Sequence, residues 1–236
     1  MAFVWSLLFV DPLIILSTIF YGSISLVATL FDKSGRTGVR IARVWGHSLL
    51  KIAGVRVRAE GLEKIDPNGA YVFVSNHLSY MDTPVVLSTI PAQFRFMAKE
   101  GLFQIPFLGT HLTQAGHIPV PLEDPRAAVK ALTLAAQMIR ERGISVLIFP
   151  EGGRSMDGEL QPFKEGAAYI AIKAGVPIVP VTLIGTRAIL AMGSATFRRG
   201  AVTLRIGDPI ATKSLKLHDR GTLTECTRKQ IAAMSQ

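Results

Sequence analysis

Ala70-Tyr71-Val72-Phe73-Val74-Ser75-Asn76-His77-Leu78-Ser79-Tyr80-Met81-Asp82-Thr83-Pro84 decides the fold. Residues 70–74 are apolar, aromatic or β-branched, and read as a buried strand ending near Ser75. A polar loop follows. Thr83-Pro84 then has the form of a helix start, with Asp82 or Thr83 as its cap. Strand, polar loop, helix is the unit from which α/β domains are built.

The same alternation extends outward in both directions. Residues 55–59 alternate with period two, as a half-exposed strand does. Residues 94–98 and 118–120 are shorter strand candidates. Asp124-Pro125 is a cap followed by proline at the first helical position. Val129, Leu132, Ala136 and Ile139 recur at helical spacing, and Gly143 ends the helix. Strands are expected at 144–149, 177–184 and 201–206, and helices at 166–174 and 223–234. The two prolines in Val176-Pro177-Ile178-Val179-Pro180-Val181 suggest an edge strand. The expectation is a single α/β domain over residues 32–236. Its mixed sheet is mostly buried and flanked by helices.

Residues 1–31 differ in character. Asp11 is their only charge, and residues 13–31 form an uncharged run. As a helix that run would be about 28 Å long, just short of the hydrocarbon layer. Asp11-Pro12 predicts a helix break, because proline disfavours the helical region at the residue before it. Ser17, Thr18, Tyr21, Gly22, Ser25 and Thr29 share one helical face, a small, mildly polar stripe suited to packing on another helix or on the domain. Lys33, Arg36, Arg40 and Arg43 follow, a pattern that favours the cytoplasmic side and anionic headgroups. Residues 1–31 are therefore expected to be a helical membrane anchor, either one span or a hairpin dipped into one leaflet. The competing readings are a core helix and a signal peptide. The second lacks basic residues before an apolar run that is also too long.

Composition agrees. Of 236 residues, 49% are hydrophobic and 18% charged, which excludes disorder for most of the chain, and mean hydropathy is +0.35. Net charge is +9, but no dense Lys/Arg run appears, so lipid or phosphorylated partners are favoured over nucleic acid. Cys226 is the single cysteine, excluding an internal disulfide and a multi-cysteine metal site. The dinucleotide glycine motif, the Walker A loop, the nucleophile elbow and the zinc-protease helix motif are all missing.

Two loops after buried strands carry candidate chemistry, the position where α/β folds place ligands. In Asn76 to Asp82, a turn folding His77 back onto Asp82 would let the carboxylate fix the imidazole tautomer and leave the other nitrogen as a base. The plainer reading is a surface histidine and a helix-capping aspartate. In Phe149-Pro150-Glu151-Gly152-Gly153-Arg154-Ser155, Arg154 offers a fork for phosphate or carboxylate, and Glu151 would orient it or a ligand hydroxyl. A solvated polar turn reads as well. Lys99 heads Lys99-Glu100-Gly101-Leu102-Phe103-Gln104-Ile105-Pro106-Phe107-Leu108-Gly109.

In their order and spacing, these blocks and Val176 to Val181 together resemble the glycerolipid acyltransferase family, best represented by bacterial 1-acylglycerol-3-phosphate acyltransferases. The resemblance covers roughly residues 45–210. It rests on N-H-x-x-x-x-D at Asn76–Asp82, F-P-E-G-T-R-S at Phe149–Ser155 with Gly153 for Thr, V-P-I-V-P-V at Val176–Val181, and the lysine block with Gly101 where Glu is usual. It implies acyl transfer from acyl-CoA or acyl carrier protein to the sn-2 hydroxyl of lysophosphatidic acid. His77 would act as general base and Asp82 as its orienter, with Lys99 and Arg154 holding the acceptor phosphate and Glu151 and Gly152 shaping that site. No metal or bound cofactor is implied. The implied location is the cytoplasmic face of a bacterial-type inner membrane, among membrane phospholipids. One departure bears on the acceptor: in Gly116-His117-Ile118-Pro119-Val120-Pro121-Leu122, Leu122 stands where the family has an arginine of the phosphate site. Arg126, four residues on, is a weak substitute. The alternatives are another lysolipid acceptor, such as lyso-ornithine lipid, a lipase-type enzyme, and a non-catalytic membrane-docked phospholipid binder.

Overall fold

The computed structural model describes residues 2–32 and 34–236. Its strands are β1 (Val55–Glu60), β2 (Val72–Ser75), β3 (Phe94–Lys99), β4 (Ile118–Val120), β5 (Ser145–Ile148), β6 (Ile178–Ile184) and β7 (Gly200–Ile206). They form one mixed sheet in the order β1-β7-β6-β2-β5-β3-β4. Every pairing is parallel except β6 with β7. The strand quoted first, β2, is therefore the central one, and all four of its residues are buried.

Alternate side chains of β2 enter two cores. Phe73 packs with Leu147, Val85 and Leu204 on one face; Val72 and Val74 pack with Val146, Ile170 and Ile139 on the other. Helices α3 (Arg36–Ile52) and α4 (Asp82–Thr89) cover the first face. The second is covered by α6 (Pro125–Arg142), α7 (Gly166–Ala174) and α9 (Arg220–Met234). The helix start at Asp124 is as its residues require: the side chain accepts from the N–H groups of Arg126 and Ala127. Two short helices, α5 (Leu108–Gln114) and α8 (Thr186–Ile189), have no periodicity long enough to announce them.

Two proline readings are corrected. Strand β6 is interior, not an edge. Ile178 exchanges both backbone bonds with Ile210, and Gly207 N–H donates to Pro180 O. Pro180 faces that same side, where the chain leaving β7 breaks the ladder between Gly207 and Ile210, so its missing N–H removes no bond. Nor does Asp11-Pro12 break the helix. After α1 (Ala2–Trp5), a π-helical turn at Ser6–Val10 leads directly into α2 (Asp11–Thr29). Asp11 N–H donates to Ser6 O, one residue further back than in an α-helix, and the wider turn accommodates the proline ring.

The polar stripe of α2 faces the domain. Ser17 Oγ lies 2.7 Å from Ser48 Oγ, Trp45 Nε1–H donates to Thr18 Oγ1, and Ser25 Oγ meets His111 Nδ1 at 2.8 Å. Near its start, Ser6 Oγ accepts from Phe197 N–H. The opposite side presents Leu8, Leu16, Ile19 and Phe20, each about 60% exposed, which overturns the core-helix reading. In the basic cluster after it, Arg36 and Arg40 are exposed and Lys33 lies outside the described residues. Arg43 is not available to a headgroup. Its Nη2 donates to the carbonyls of Ile90, Pro91 and Ala92, closing the end of α4.

Candidate active site

The ends of β2, β5 and β6 open on one edge of the sheet, because the three strands are parallel neighbours. Asn76 extends β2 by its side chain: Nδ2–H donates to Leu183 O (3.0 Å), and Oδ1 accepts from Leu183 N–H (2.8 Å). This fixes the point at which the chain leaves the sheet, immediately before His77.

The turn then brings His77 onto Asp82. Nδ1 lies 2.7 Å from Asp82 Oδ2, and since a carboxylate only accepts, the proton sits on Nδ1. The same Oδ2 accepts the N–H groups of Leu78 (2.6 Å) and Ser79 (2.8 Å). Asp82 therefore begins α4 without capping it; its acceptor oxygen points back into the loop. That geometry replaces the capping expectation and the surface-histidine reading together: Asp82 is fully buried and the His77 side chain 11% exposed. The imidazole stacks on Phe149, centroids 3.8 Å apart, and Phe149 stacks in turn toward Phe96. With Nδ1 engaged and one ring face covered, Nε2 is the nitrogen left for a substrate proton.

The second loop is bonded to the first. Glu151 Oε1 accepts His77 N–H (2.6 Å), Oε2 accepts Gln161 N–H (2.9 Å), and Ser155 N–H donates to His77 O. Burial raises the Glu151 carboxyl from its ordinary value; the two backbone N–H groups oppose that. Glu151 thus ties two loops together and does not pair with Arg154. Arg154 lies over the Tyr80 ring at 4.0 Å. Burial lowers its proton affinity, and the Asp82 charge supports it. Gly152 has φ +78°, and a Cβ there would come within 2.8 Å of Lys164 Nζ. Lys99, at the end of β3, opens on the same edge and is exposed. Arg126 is exposed on the first turn of α6. Among the described residues no group of three metal-ligating side chains occurs.

A cavity of about 530 Å³ lies between α2, α3, α4 and α5; its lining approaches the site at Thr83 and Phe96 and does not include His77 or Asp82. Gly22, Ala42, Trp45 and Leu87 line it, as do Thr83, next to Asp82, and Phe96, next in the ring stack. No motif announces it, since its walls come from four separate helices. His117 also lines it. Its Nδ1 accepts Phe96 N–H, and burial lowers its pKa to about 3. A histidine neutral when folded and free to protonate near pH 6.5 when unfolded makes stability fall as pH drops below 6.5. From pH 7 to 5 this group is expected to cost about 2 kcal/mol. Urea unfolding of wild type and His117→Gln at both pH values measures it; the variant should lose that part of the pH dependence.

An acyltransferase family model matches residues 56–184. The chain is 39% identical over 184 residues to the chloroplastic 1-acyl-sn-glycerol-3-phosphate acyltransferase BAT2 of Brassica napus, covering 77% of this chain and 53% of that protein. It is 30% identical over 215 residues to the 1-acyl-sn-glycerol-3-phosphate acyltransferase of Saccharomyces cerevisiae, covering 90% and 71%. The chain spans about half the length of the plant relative. The crystal structure of the 1-acyl-sn-glycerophosphate acyltransferase PlsC from Thermotoga maritima superposes with a TM-score of 0.80 at 28% identity, over 99% of this chain and 98% of that one. The His77–Asp82 pair and the loop that Glu151 bonds to it both fall within the matched span, and this chain belongs to the acyltransferase family.

Proposed function

We propose that the protein transfers a fatty acyl group from acyl-CoA or acyl carrier protein to the sn-2 hydroxyl of lysophosphatidic acid, giving phosphatidic acid. The observation that carries it is the His77–Asp82 dyad, with Nδ1 engaged and Nε2 left for the substrate; an apolar cavity lined by Thr83, next to Asp82, supports the same reading. His77 Nε2 takes the hydroxyl proton as the oxygen attacks the thioester carbonyl, and Asp82 holds the ring and offsets the charge it gains. The tetrahedral centre collapses, the thiolate leaves, and the proton passes to it. The acyl chain lies in the cavity, and Arg154 faces the acceptor phosphate with a planar fork. Lys99 adds charge on the β3 side, and Gly152 gives the turn room for Lys164. Labelled acyl-CoA and acyl carrier protein assayed against a panel of lysolipids test this. Preference for a lysolipid without a terminal phosphate would replace the acceptor, an outcome that Leu122 makes worth measuring.

The amino-terminal helix supplies the membrane contact in this proposal. Phe3–Ala28 is long and apolar enough to cross a bilayer. Its polar stripe, however, is bonded to the domain from Ser6 to Ser25, so only one side can meet lipid. That supports a helix lying in one leaflet of the cytoplasmic face, with Arg36 and Arg40 toward anionic headgroups. The double substitution Leu16→Glu/Phe20→Glu, on the exposed side, is expected to release most of the protein from anionic vesicles on sedimentation while leaving its melting temperature nearly unchanged. Undiminished binding would place the anchor elsewhere.

A further inference from the structure

We propose that Arg187 and Arg154 together hold the acceptor's phosphate, astride the end of β2, in a chain that has Leu122 in place of an arginine on the β4 side. The proposal rests on the reading of the acceptor as a lysophospholipid phosphate ester. Arg187 lies in α8, three residues past the end of β6, and β6 is the neighbour of β2 opposite β5, the strand whose following loop carries Arg154. Leu122 and Arg126 follow β4, at the far edge of the sheet. In lysophosphatidate the reacting hydroxyl and the phosphate sit on adjacent carbons. The anion site must therefore lie beside His77, and the two strands flanking β2 are better placed to supply it than β4.

The local structure presents Arg187 for that task. Its Nη2 donates to Met156 O at 2.8 Å, two residues from Arg154 and so within about 7 Å of chain. Gly158, at φ +93°, leaves a surface on which the guanidinium lies: a Cβ there would meet Arg187 Cδ at 3.2 Å and both Nε and Nη1 at 3.4 Å. Among the described residues neither Arg154 nor Arg187 forms an ion pair with a carboxylate. Asp157 is near enough for the Arg187 charge to act on it. Its Oδ1, however, accepts from Ser155 Oγ, Glu159 N–H and Gln161 Nε2.

The distribution of unpaired atoms points the same way. Five buried side-chain atoms among the described residues have no hydrogen-bond partner. Arg43 Nε lies at the opposite end of α4, away from the site. The other four are Asp82 Oδ1, Arg154 Nε, Thr186 Oγ1 and Arg187 Nε, all on the segments that follow β2, β5 and β6. Buried donors are normally paired, so the two guanidinium Nε–H groups, Arg154 and Arg187, mark where an anionic ligand completes the structure; Asp82 Oδ1, an acceptor, is no part of that site.

Steady-state kinetics of the full chain with lysophosphatidate and with phosphate-free 1-acylglycerol test the proposal. Arg187→Gln should raise KM for lysophosphatidate about tenfold to a hundredfold, the range for losing a charge-assisted bond. KM for acyl-CoA and the rate on 1-acylglycerol should stay near wild type. Arg187→Lys keeps a donor for Met156 O and the charge, loses the fork, and should fall between; it carries the test if the glutamine variant folds poorly. Equal losses on both acceptors would mean that Arg187 only supports the Met156 turn, and an unchanged lysophosphatidate KM would mean that it does not touch the phosphate; either overturns the proposal alone. A wild-type enzyme indifferent to the phosphate would overturn the acceptor reading, and this proposal with it.

Discussion

Acyl transfer is expected to fall about 10²–10⁴-fold in His77→Ala, the usual consequence of removing a general base. The fold should survive, for a reason visible in the bonds. The main-chain contacts of His77, its N–H to Glu151 and its carbonyl to Ser155, do not depend on the ring. Asp82 Oδ2 loses one donor but keeps the N–H groups of Leu78 and Ser79. The loss to packing is the ring stacked on Phe149, whose other side remains covered toward Phe96. Labelled acyl transfer, vesicle binding and a melting curve on the same preparation separate these effects. Turnover near wild type would remove His77 as the base, and a phospholipid binder without catalysis would show no change in its binding.

Much of this site was legible in the chain because the signals are local. The run from Tyr71 to Val74 can only be buried, and a polar stretch ending in Thr83-Pro84 must turn before a helix. His77 and Asp82 are five residues apart, so contact between them needs only that turn. What stayed hidden is nonlocal. Glu151 bonds to backbone N–H groups 74 and 10 residues away, and no side-chain pattern records such a partner. The cavity exists only once four helices are assembled, and Arg187 meets Met156 O, on the Arg154 loop, only through the folded arrangement of β5, β2 and β6. The proline rules failed for a related reason. Each predicts a lost bond or a clash, yet at Pro12 a π turn widened the helix, and at Pro180 the neighbouring ladder was already broken.

The two parts of the chain meet at the cavity. Gly22, from the stripe of α2 that packs on the domain, and Thr83, one residue from Asp82, line the same space. A helix whose other face is proposed to meet lipid thus forms one wall of the space proposed for the acyl chain. The acceptor and product of the proposed reaction are membrane lipids, so this arrangement would bring the acceptor to the site from the bilayer side. The stripe is polar enough to bond Ser48, Trp45 and His111, and small enough to leave the cavity open.

Asp82→Asn tests whether the dyad needs a charge or only an orientation. Oδ2 accepts three N–H groups, so an asparagine must place its single oxygen there. The reverse rotamer would set an NH₂ against three donors. The imidazole tautomer is then preserved, in contrast to dyads where the amide flips it. The NH₂ falls at the buried Oδ1 position, which has no partner, at a cost of about 1–3 kcal/mol. The imidazolium formed as His77 takes the acceptor's proton loses its counter-charge at the moment it needs one. The expected outcome is a kcat lower by about 10²–10⁴-fold with KM for both substrates nearly unchanged, since neither substrate touches Asp82. Asp82→Ala should show a similar kcat but a larger fall in stability, because the N–H groups of Leu78 and Ser79 are left without an acceptor. Urea midpoints and steady-state rates for both variants decide the matter. If Asp82→Asn keeps kcat within about tenfold of wild type while Asp82→Ala does not, the carboxylate serves to hold the ring and the charge contributes little.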